Sequence, residues 1–168
     1  MTKATGATYA VHFRRRREGI TDYATRLALL KSGKPRMVVR KTNRYVCVQF
    51  VDFAEKGDRA ITTATSKALS KYGFDGKCNS PSAFLTGMLA AKRAQAKGVK
   101  EFVLDMGLQT ASKGNVVFSA LQGAIAAGLK SNFGKEKMPS PARSSGEHLG
   151  LKQKFEEAKN KIMQEVVK

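Results

Sequence analysis

Residues 36–53 read R-M-V-V-R-K-T-N-R-Y-V-C-V-Q-F-V-D-F, and this stretch decides the fold. Two runs rich in β-branched and aromatic residues, Arg36–Arg40 and Tyr45–Phe53, flank the polar segment Lys41–Arg44. Such runs, separated by a short polar turn, predict a β-hairpin. In the second run both alternating sets of side chains are fairly apolar, so we expect that strand to be covered on both faces for much of its length.

Periodicity and turn residues predict the other elements on either side of the hairpin. They are a helix over 21–32 with the apolar face Tyr23, Leu27 and Leu30, a strand over Arg59–Thr63, a short helix over Ala64–Tyr72, a helix from the cap Ser80 to Gly98, a strand over Glu101–Met106, and a helix over about Val116–Leu129. Residues 131–147 lack periodicity, as is typical of a linker. Residues 148–167 regain helical spacing, and this helix either docks back on the domain or lies against a partner.

This order of elements predicts three parts of the chain. Residues 1–20 form a basic arm, residues 21–130 form an α/β globular domain, and residues 131–168 form a linker and a C-terminal helix. With 168 residues, the chain is long enough to build one domain with its own hydrophobic core.

Positive charge is in large excess and is unevenly distributed. The formal net charge is +18, from 31 basic and 13 acidic residues. Twelve basic residues fall within the first fifty positions, against two acidic ones. Such an excess of positive charge does not stabilise a fold. It indicates a polyanionic partner, of which a nucleic acid is the strongest candidate. Membrane insertion is disfavoured, because no apolar run approaches the roughly 18 residues of a spanning helix.

The most basic stretch is the run Arg14–Arg17, which follows Tyr9 and shows neither helical nor strand periodicity. Two interpretations remain open for it. One is a solvated charge run or a short disordered tail. The other is an extended arm lying on phosphates, where each arginine offers planar bidentate hydrogen bonding.

Two further segments are candidates for binding an anion. The hairpin turn gathers Arg40, Lys41 and Arg44 beside Asn43, whose amide adds base-edge hydrogen bonding to the positive charge. Residues 107–115 place glycines, hydroxyls and Lys113 between a strand and a helix N-terminus, which is a pattern that can cradle an anion. This segment is not a Walker A motif, so it does not indicate nucleotide hydrolysis.

Residues that carry catalytic or metal chemistry are sparse. Cys47 and Cys78 lack a C-x-x-C spacing and fit a reducing, cytosolic setting without zinc. His12 and His148 have no neighbours in sequence that indicate acid–base catalysis. Asp52 and Asp105, at predicted strand ends, leave open a magnesium-dependent nuclease, although two-metal chemistry needs more carboxylates that converge.

Several motifs together resemble one protein family. They are R-R-R-R-E-G at Arg14–Gly19, T-D-Y-A-T-R-L-A-L-L-K-S-G-K-P-R at Thr21–Arg36, V-V-R-K-T-N-R in the hairpin, K-G-D-R at Lys56–Arg59, P-S-A-F-L-T-G-M-L at Pro81–Leu89, L-D-M-G-L at Leu104–Leu108, K-G-N-V-V-F-S-A-L-Q-G-A-I-A-A-G-L at Lys113–Leu129 and P-A-R-S-S-G-E-H-L at Pro141–Leu149. The sequence resembles the archaeal member of the large-subunit ribosomal protein family that binds 5S ribosomal RNA, the eighteenth in the universal naming. The likeness covers nearly the whole chain.

This resemblance implies a fold, a function and a set of RNA contacts. The fold is α/β, a small mixed β-sheet packed by helices, with a basic N-terminal arm. The function is to join 5S rRNA to the large-subunit rRNA at the central protuberance of the cytoplasmic ribosome, near another 5S-binding protein, without catalysis, cofactor or metal. The residues predicted to contact RNA are Tyr9, Arg14, Arg15, Arg16, Arg17, Arg36, Arg40, Lys41, Asn43, Arg44, Gly107, Lys113, Gly114 and Asn115.

One departure and one alternative accompany the resemblance. Relatives often carry a basic residue or a histidine after the L-D-x-G-L strand end, where this chain has Gln109–Ala111. Lys113 keeps the cationic position. The alternative is a general basic nucleic-acid-binding protein or RNA chaperone, which would bind DNA and unrelated RNAs about as well as 5S rRNA.

Overall fold

The predicted β-hairpin forms the middle of the sheet. In the structure, a computed structural model that describes residues 6–164, strand β1 (Arg36–Lys41) pairs antiparallel with β2 (Val46–Asp52). Thr42 closes the turn, because its N–H donates to the Tyr45 carbonyl at 2.8 Å and its hydroxyl accepts from the Tyr45 N–H at 3.0 Å. The predicted hairpin is therefore confirmed.

Three more strands complete a mixed sheet. They are β3 (Arg59–Thr65), β4 (Glu101–Asp105) and β5 (Lys130–Ser131), and the order across the sheet is β3-β2-β1-β4-β5. The β1/β4 and β4/β5 pairs are parallel, whereas β2 runs antiparallel to both of its neighbours. This arrangement confirms the predicted α/β class with a small mixed sheet.

Six α-helices surround the sheet in the described part of the chain. They are α1 (Arg14–Arg17), α2 (Tyr23–Leu30), α3 (Ser80–Ala96), α4 (Val116–Ala126), α5 (Pro141–Ser145) and α6 (Lys152–Gln164), with 3-10 helices at Ser66–Tyr72, Lys135–Lys137 and Glu147–Leu149. The predicted cap of α3 is wrong by one position, because Asn79 Oδ1 rather than Ser80 accepts the Ser82 N–H at 3.0 Å. Across residues 6–164, none of the helices has the length and apolar character needed to cross a membrane.

The hydrophobic core lies between one face of the sheet and the pair α3 and α4. Met37 and Phe50 on that face are fully buried, and Phe50 meets Phe102 edge-on at 5.4 Å between ring centroids. The two helices approach so closely that a Cβ at Gly87 or at Gly123 would lie 2.0 Å from a backbone oxygen of the other helix. Glycine at these two positions sets the distance between the helices.

The C-terminal part of the chain packs back on this core. The helix α6 buries Phe155, Ala158 and Ile162, and the Phe155 ring lies 5.3 Å from that of Phe84 in α3. The segment predicted as a linker is more ordered than its sequence indicates, since it contains α5 and part of β5, and Ser144 in α5 is buried. The predicted helical face also included Val166, which lies outside the described residues.

The other face of the sheet is only partly covered. Helix α2 crosses it above a cleft of about 970 Å³ and buries none of its own residues, and Leu27, on the predicted apolar face, is exposed. On this face Cys47 and Gln49 of β2 are half-buried, so the prediction of a strand covered on both faces is wrong at these positions.

The prediction of an extended arm is also wrong at Arg14–Arg17. These four residues form the single helical turn α1, in which the Phe13 carbonyl accepts hydrogen bonds from the N–H groups of Arg16 and Arg17 at 3.0 Å. All four side chains are exposed, as a phosphate-binding segment requires. Part of the predicted arm, residues 1–5, lies outside the described residues.

The contact between α3 and α4 yields the first prediction. Gly123→Ala should lower the free energy of unfolding by about 2–3 kcal/mol, because the new Cβ would overlap the Phe84 carbonyl group and force the helices apart. The matched control is Gly134→Ala, where a Cβ meets nothing within 4 Å and φ is −82°. Urea denaturation of both variants measures the difference, and equal midpoints would contradict the close packing described here.

Candidate nucleic-acid interface

The hairpin turn and the loop 107–115 leave the sheet at the same edge. Strands β1 and β4 are parallel neighbours, with Arg36 opposite Val103 and Val38 opposite Asp105, so both strands end on that side. The 3-10 helix that begins at Ser66 follows β3 there too, because Thr65 pairs with Cys47 near the hairpin turn. We call this side of the molecule the hairpin edge.

Asp105 joins the two segments of the hairpin edge. Its Oδ1 accepts from Arg40 Nη2 at 2.9 Å and from the Gly107 N–H at 2.9 Å, while its carbonyl accepts from Arg40 Nη1 at 2.9 Å. A Cβ at Gly107 would lie 3.0 Å from the Arg40 guanidinium carbon, and Gly107 has a φ of +64°. The start of the loop therefore lies against the guanidinium group in a backbone conformation that favours glycine.

The same carboxylate belongs to a longer chain of alternating charges. Arg36 Nη1 contacts Asp105 Oδ2 at 2.8 Å, and Arg36 Nη2 contacts Asp58 Oδ2 at 2.6 Å. Arg26 on α2 completes the chain with a 2.9 Å contact to Asp58. This charge network links α2, the turn before β3, β1 and the end of β4.

The charge network changes the interpretation of two predicted RNA contacts. The Arg36 side chain is only 3% exposed and is neutralised by two carboxylates, so it is placed to hold the sheet face together and not to reach a phosphate. The Arg40 guanidinium lies against Gly107, yet the side chain is 45% exposed to solvent. Arg36 is thus structural in this fold, whereas Arg40 can position the loop and still meet a ligand.

Two opposing effects act on the Asp105 carboxyl. Burial raises its pKa, but the hydrogen bond and charge of Arg40, the Gly107 N–H and the charge of Arg36 lower it, and the net pKa lies below the ordinary value of 3.8. A carboxyl whose pKa is lowered by folding stabilises the fold above its unfolded pKa, near 3.9, and loses that contribution as the pH falls through the folded pKa.

The hairpin turn itself presents unshielded polar groups. Lys41, Asn43 and Arg44 are all exposed. Neither Lys41 nor Arg44 has an ion-pair partner among residues 6–164. Since the turn is closed by the Thr42–Tyr45 hydrogen bonds, these side chains extend from a fixed backbone. Of the predicted contacts, this group is the one best placed to meet RNA.

Most of the hydrogen-bond donors that an anion cradle would need in the loop 107–115 are already used within the protein. The loop N–H groups at Gly107, Ser112, Gly114 and Asn115 already donate to acceptors of the protein, and Gly114 reaches the Lys137 carbonyl at 3.0 Å. The Asn115 amide is also used, since its Oδ1 accepts from the Val117 N–H and its Nδ2 donates to the Thr110 carbonyl. Lys113 is exposed and stays the predicted contact, whereas a backbone cradle at Gly114 and Asn115 is not open.

Residues of the N-terminal arm lie near the hairpin edge, beside the cleft beneath α2. Arg15 lines the cleft together with Leu108 and Gln109, and its Nε donates to the Thr21 hydroxyl at 2.8 Å. Phe13 contacts Tyr23 on α2 at 5.3 Å between ring centroids. Tyr9 lies near His12 and is 38% exposed. The structure therefore brings the arm close to the start of the loop 107–115.

The sequence did not indicate three further lysines at this edge. Lys135 and Lys137 are exposed beside the loop, to which the Lys137 carbonyl is bonded, and Lys67 is exposed in the 3-10 helix at the same edge. Their local sequences carry no signal beyond charge. The ion pairs of the charge network could not be predicted from the sequence either, because Arg36 lies 22 positions from Asp58 and 69 positions from Asp105.

The carboxylates weighed for a nuclease do not converge. Asp105 is held between Arg36 and Arg40, and Asp52 accepts a hydrogen bond from the Phe53 N–H. Within residues 6–164, no group of three or more His, Cys, Asp or Glu side chains is arranged to hold a metal ion. The geometry of this edge fits the binding of a polyanion.

Comparisons with known proteins give a consistent result. The family model for ribosomal large subunit proteins 60S L5 and 50S L18 matches residues 7–101. A large ribosomal subunit protein uL18 from Korarchaeum cryptofilum is 50% identical over 156 residues, which are 92% of this chain and 80% of the relative. The uL18 proteins of Methanobrevibacter smithii and Haloarcula marismortui are 48% and 47% identical over 87% of this chain, and the matches cover 76% and 79% of those relatives.

The charge network predicts the effect of Asp105→Asn. We expect a loss of about 3 kcal/mol in the free energy of unfolding at pH 7, since two arginines lose a shared carboxylate, although Arg36 keeps Asp58 and Arg40 is half exposed. The gap between wild type and variant should narrow as the pH falls below about 4. Urea denaturation at pH 7 and pH 3 measures both effects.

Asp75→Asn is the control for this variant. Asp75 pairs only with Lys77 among the described residues, and both side chains are more than two-thirds exposed, so the change should stay within about 0.5 kcal/mol. Equal stability losses for the two variants at pH 7, or a difference between wild type and Asp105→Asn that does not shrink between pH 7 and pH 3, would contradict a special role for Asp105.

Proposed function

The chain belongs to this family of large-subunit ribosomal proteins, and we propose that it binds 5S rRNA and attaches it to the large-subunit rRNA at the central protuberance. As a structural constituent of the large subunit it is not an enzyme, its partners are ribosomal RNA and other ribosomal proteins, and its place is the cytoplasmic ribosome. The attachment site and a neighbouring 5S-binding protein are part of the proposal.

The observation that carries the proposal is the arrangement of the hairpin edge. Exposed cations at Lys41, Arg44 and Lys113 surround a backbone that Asp105 and Arg40 hold in one geometry. Binding of lysine and arginine to phosphates releases condensed counterions, which supplies affinity for any RNA. A fixed spacing of the cations adds a preference for RNA of matching shape, because double-stranded RNA is recognised mostly by shape.

Asn43 supplies the group best suited to read a base. It is exposed at the hairpin turn between Lys41 and Arg44, and an amide offers both a donor and an acceptor to a base edge. RNA helices have a deep, narrow major groove, so sequence is read mainly in loops and bulges with unstacked bases. We expect Asn43 to contact such an unpaired region, with the flanking cations on nearby phosphates.

The turn α1 supplies affinity with little selectivity. Its four arginines are exposed, and they are tied to the domain by the Arg15–Thr21 hydrogen bond and the ring contact between Phe13 and Tyr23. Such contacts are weak enough for the arm to shift when RNA binds. We therefore assign to α1 the role of a clamp on phosphates beside the hairpin edge.

A competition assay tests the proposed function. Wild-type protein bound to labelled 5S rRNA should resist a mass excess of transfer RNA or duplex DNA at about 0.2 M salt, since the rigid hairpin edge adds shape recognition to charge. Complex formation is followed by filter binding or gel shift. Equal competition by all polyanions would replace the proposal with a general nucleic-acid chaperone.

Replacement of Arg14–Arg17 by alanine should weaken RNA binding without changing the stability of the fold. RNA affinity should fall, and the slope of log K against log salt should flatten by about 0.7–0.9 for each phosphate that the variant no longer neutralises. The melting temperature of the free protein should stay nearly constant, because α1 buries none of its residues.

A charge-matched control distinguishes position from total charge. Lys152, Lys154, Lys159 and Lys161 lie on α6, in another part of the fold from α1, and can be replaced together by alanine, a good helix former. An equal fall in affinity for both variants would mean that only net charge matters. A large fall in melting temperature of the α1 variant would show that the arm belongs to the core.

A further inference from the structure

An aromatic side chain is exposed at the hairpin edge, next to the cations of the turn. Tyr45 follows Arg44 and immediately precedes β2, and it is 40% exposed. The next residue, Val46, is fully buried in the core. Because successive side chains of a strand point to opposite faces, the Tyr45 ring lies on the face of the sheet that α3 and α4 leave uncovered.

The backbone holds Tyr45 in one position. Its N–H donates to the Thr42 hydroxyl at 3.0 Å, and its carbonyl accepts from the Thr42 N–H at 2.8 Å. The following N–H, of Val46, donates to the hydroxyl of the fully buried Ser66 at 3.2 Å. The ring therefore extends from a backbone that is tied to the hairpin turn and to the 3-10 helix after β3. Such preorganisation lowers the entropy that binding has to cost.

The fold makes little use of the Tyr45 side chain. Among residues 6–164 its hydroxyl has no hydrogen-bond partner, since the hydrogen bonds of this residue are made by its backbone. The ring also meets no other aromatic ring in that part of the chain, whereas Phe50 of the same hairpin is fully buried and contacts Phe102. The exposed part of the Tyr45 ring is therefore available to a ligand.

Cations of three segments lie near this ring. Arg44 precedes Tyr45 and is exposed. Arg40 pairs with Cys47, two residues beyond Tyr45, and is thus a diagonal neighbour on the same face, within reach of a long side chain. Lys67 follows Ser66 and is exposed as well. Proteins that hold single-stranded nucleic acid combine such elements, because cations follow the phosphates while bases stack on aromatic rings.

The residues around Tyr45 favour a nucleotide over a protein partner. Lys41, Asn43 and Arg44, on the same turn, are exposed and polar or charged. Protein interfaces instead have apolar cores that are depleted in charged residues, lysine among them. A single aromatic ring among cations suits a base, whose flat face stacks on the ring while its phosphate meets a cation.

We propose that Tyr45 is a specificity-determining residue, which stacks on the base of an unpaired nucleotide of 5S rRNA. This inference rests on the proposed function and deepens it, because it names the class of RNA element that the hairpin edge selects. A base that is paired and stacked within a helix offers no face to a side chain, so the nucleotide has to come from a loop or a bulge. Asn43 adds hydrogen bonds to a base edge there.

A single tryptophan tests the stacking directly. The chain contains no tryptophan, so Tyr45→Trp introduces one fluorescent reporter at the proposed position. Binding of 5S rRNA should quench its emission and shield it from acrylamide, because a base stacked on the indole quenches it and excludes solvent. The control is Phe53→Trp, since Phe53 follows the other end of β2 and is 54% exposed. Its emission should change little when the same complex forms.

Affinity measurements separate stacking from charge. Tyr45→Ala should weaken binding of 5S rRNA about 5- to 100-fold, as the loss of one base–aromatic stack typically does, while Tyr45→Phe keeps the ring and should stay within about twofold. The slope of log K against log salt should not change in Tyr45→Ala, because tyrosine neutralises no phosphate. Arg44→Gln should flatten that slope by about 0.7–0.9 if it loses one phosphate. Thermal melting verifies folding, and Tyr45→Trp tests stacking even if Tyr45→Ala is less stable.

The outcomes separate this inference from the proposed function. Equal quenching of the two reporters, or an affinity of Tyr45→Ala equal to that of Phe53→Ala, would overturn stacking and leave a wild-type preference for 5S rRNA unexplained by this ring. An equal loss in Tyr45→Phe and Tyr45→Ala would also overturn it, because the hydroxyl would then make the contact. Failure of the wild-type protein to prefer 5S rRNA would refute the proposed function. Quenching of Tyr45→Trp by a single-stranded RNA oligonucleotide, but not by an RNA duplex of equal length, would still support stacking on an unpaired base.

Discussion

The geometry of the hairpin edge depends on the Asp105 carboxylate. This carboxylate accepts hydrogen bonds from Arg36, Arg40 and the Gly107 N–H, and so ties the strand pair β1/β4 to the start of the loop 107–115. A buried network of this kind adds little net stability compared with apolar packing, yet removal of one member leaves charges unpaired and costs several kcal/mol. We infer that this network fixes the position of the loop 107–115 relative to the hairpin.

This constraint divides the arginines into two classes. Arg26 and Arg36 are used within the protein, because each is paired with a carboxylate of the charge network. The arginines of α1 and Arg44 are exposed and stay available to a polyanion. Net charge alone cannot make this distinction. The number of phosphates that the protein can neutralise is therefore smaller than its total of 31 basic residues indicates.

The sequence predicted those features whose cause is local. Alternation of side chains and a polar turn indicated the hairpin, and helical periodicity indicated the helix that begins at Val116. Features caused by distant partners were hidden. Arg36 looked like an RNA contact because Asp58 and Asp105 are far away in sequence, and β5, with two residues, is too short to show periodicity. The predicted apolar face of α2 is not buried, because the helix lies above an open cleft.

A protein that joins two RNAs has to hold two polyanions that repel each other. A flexible basic chain could bind both but would leave their separation undefined, whereas cations that extend from a sheet and a closed hairpin turn have a fixed spacing. Strand β1 runs through the middle of the sheet to the hairpin turn. Helices α3 and α4 pack against one face of this sheet, and Gly87 and Gly123 allow their backbones to come into contact. In the proposed function the core supports the hairpin edge, and we expect a change at Gly123 to weaken RNA binding without touching RNA.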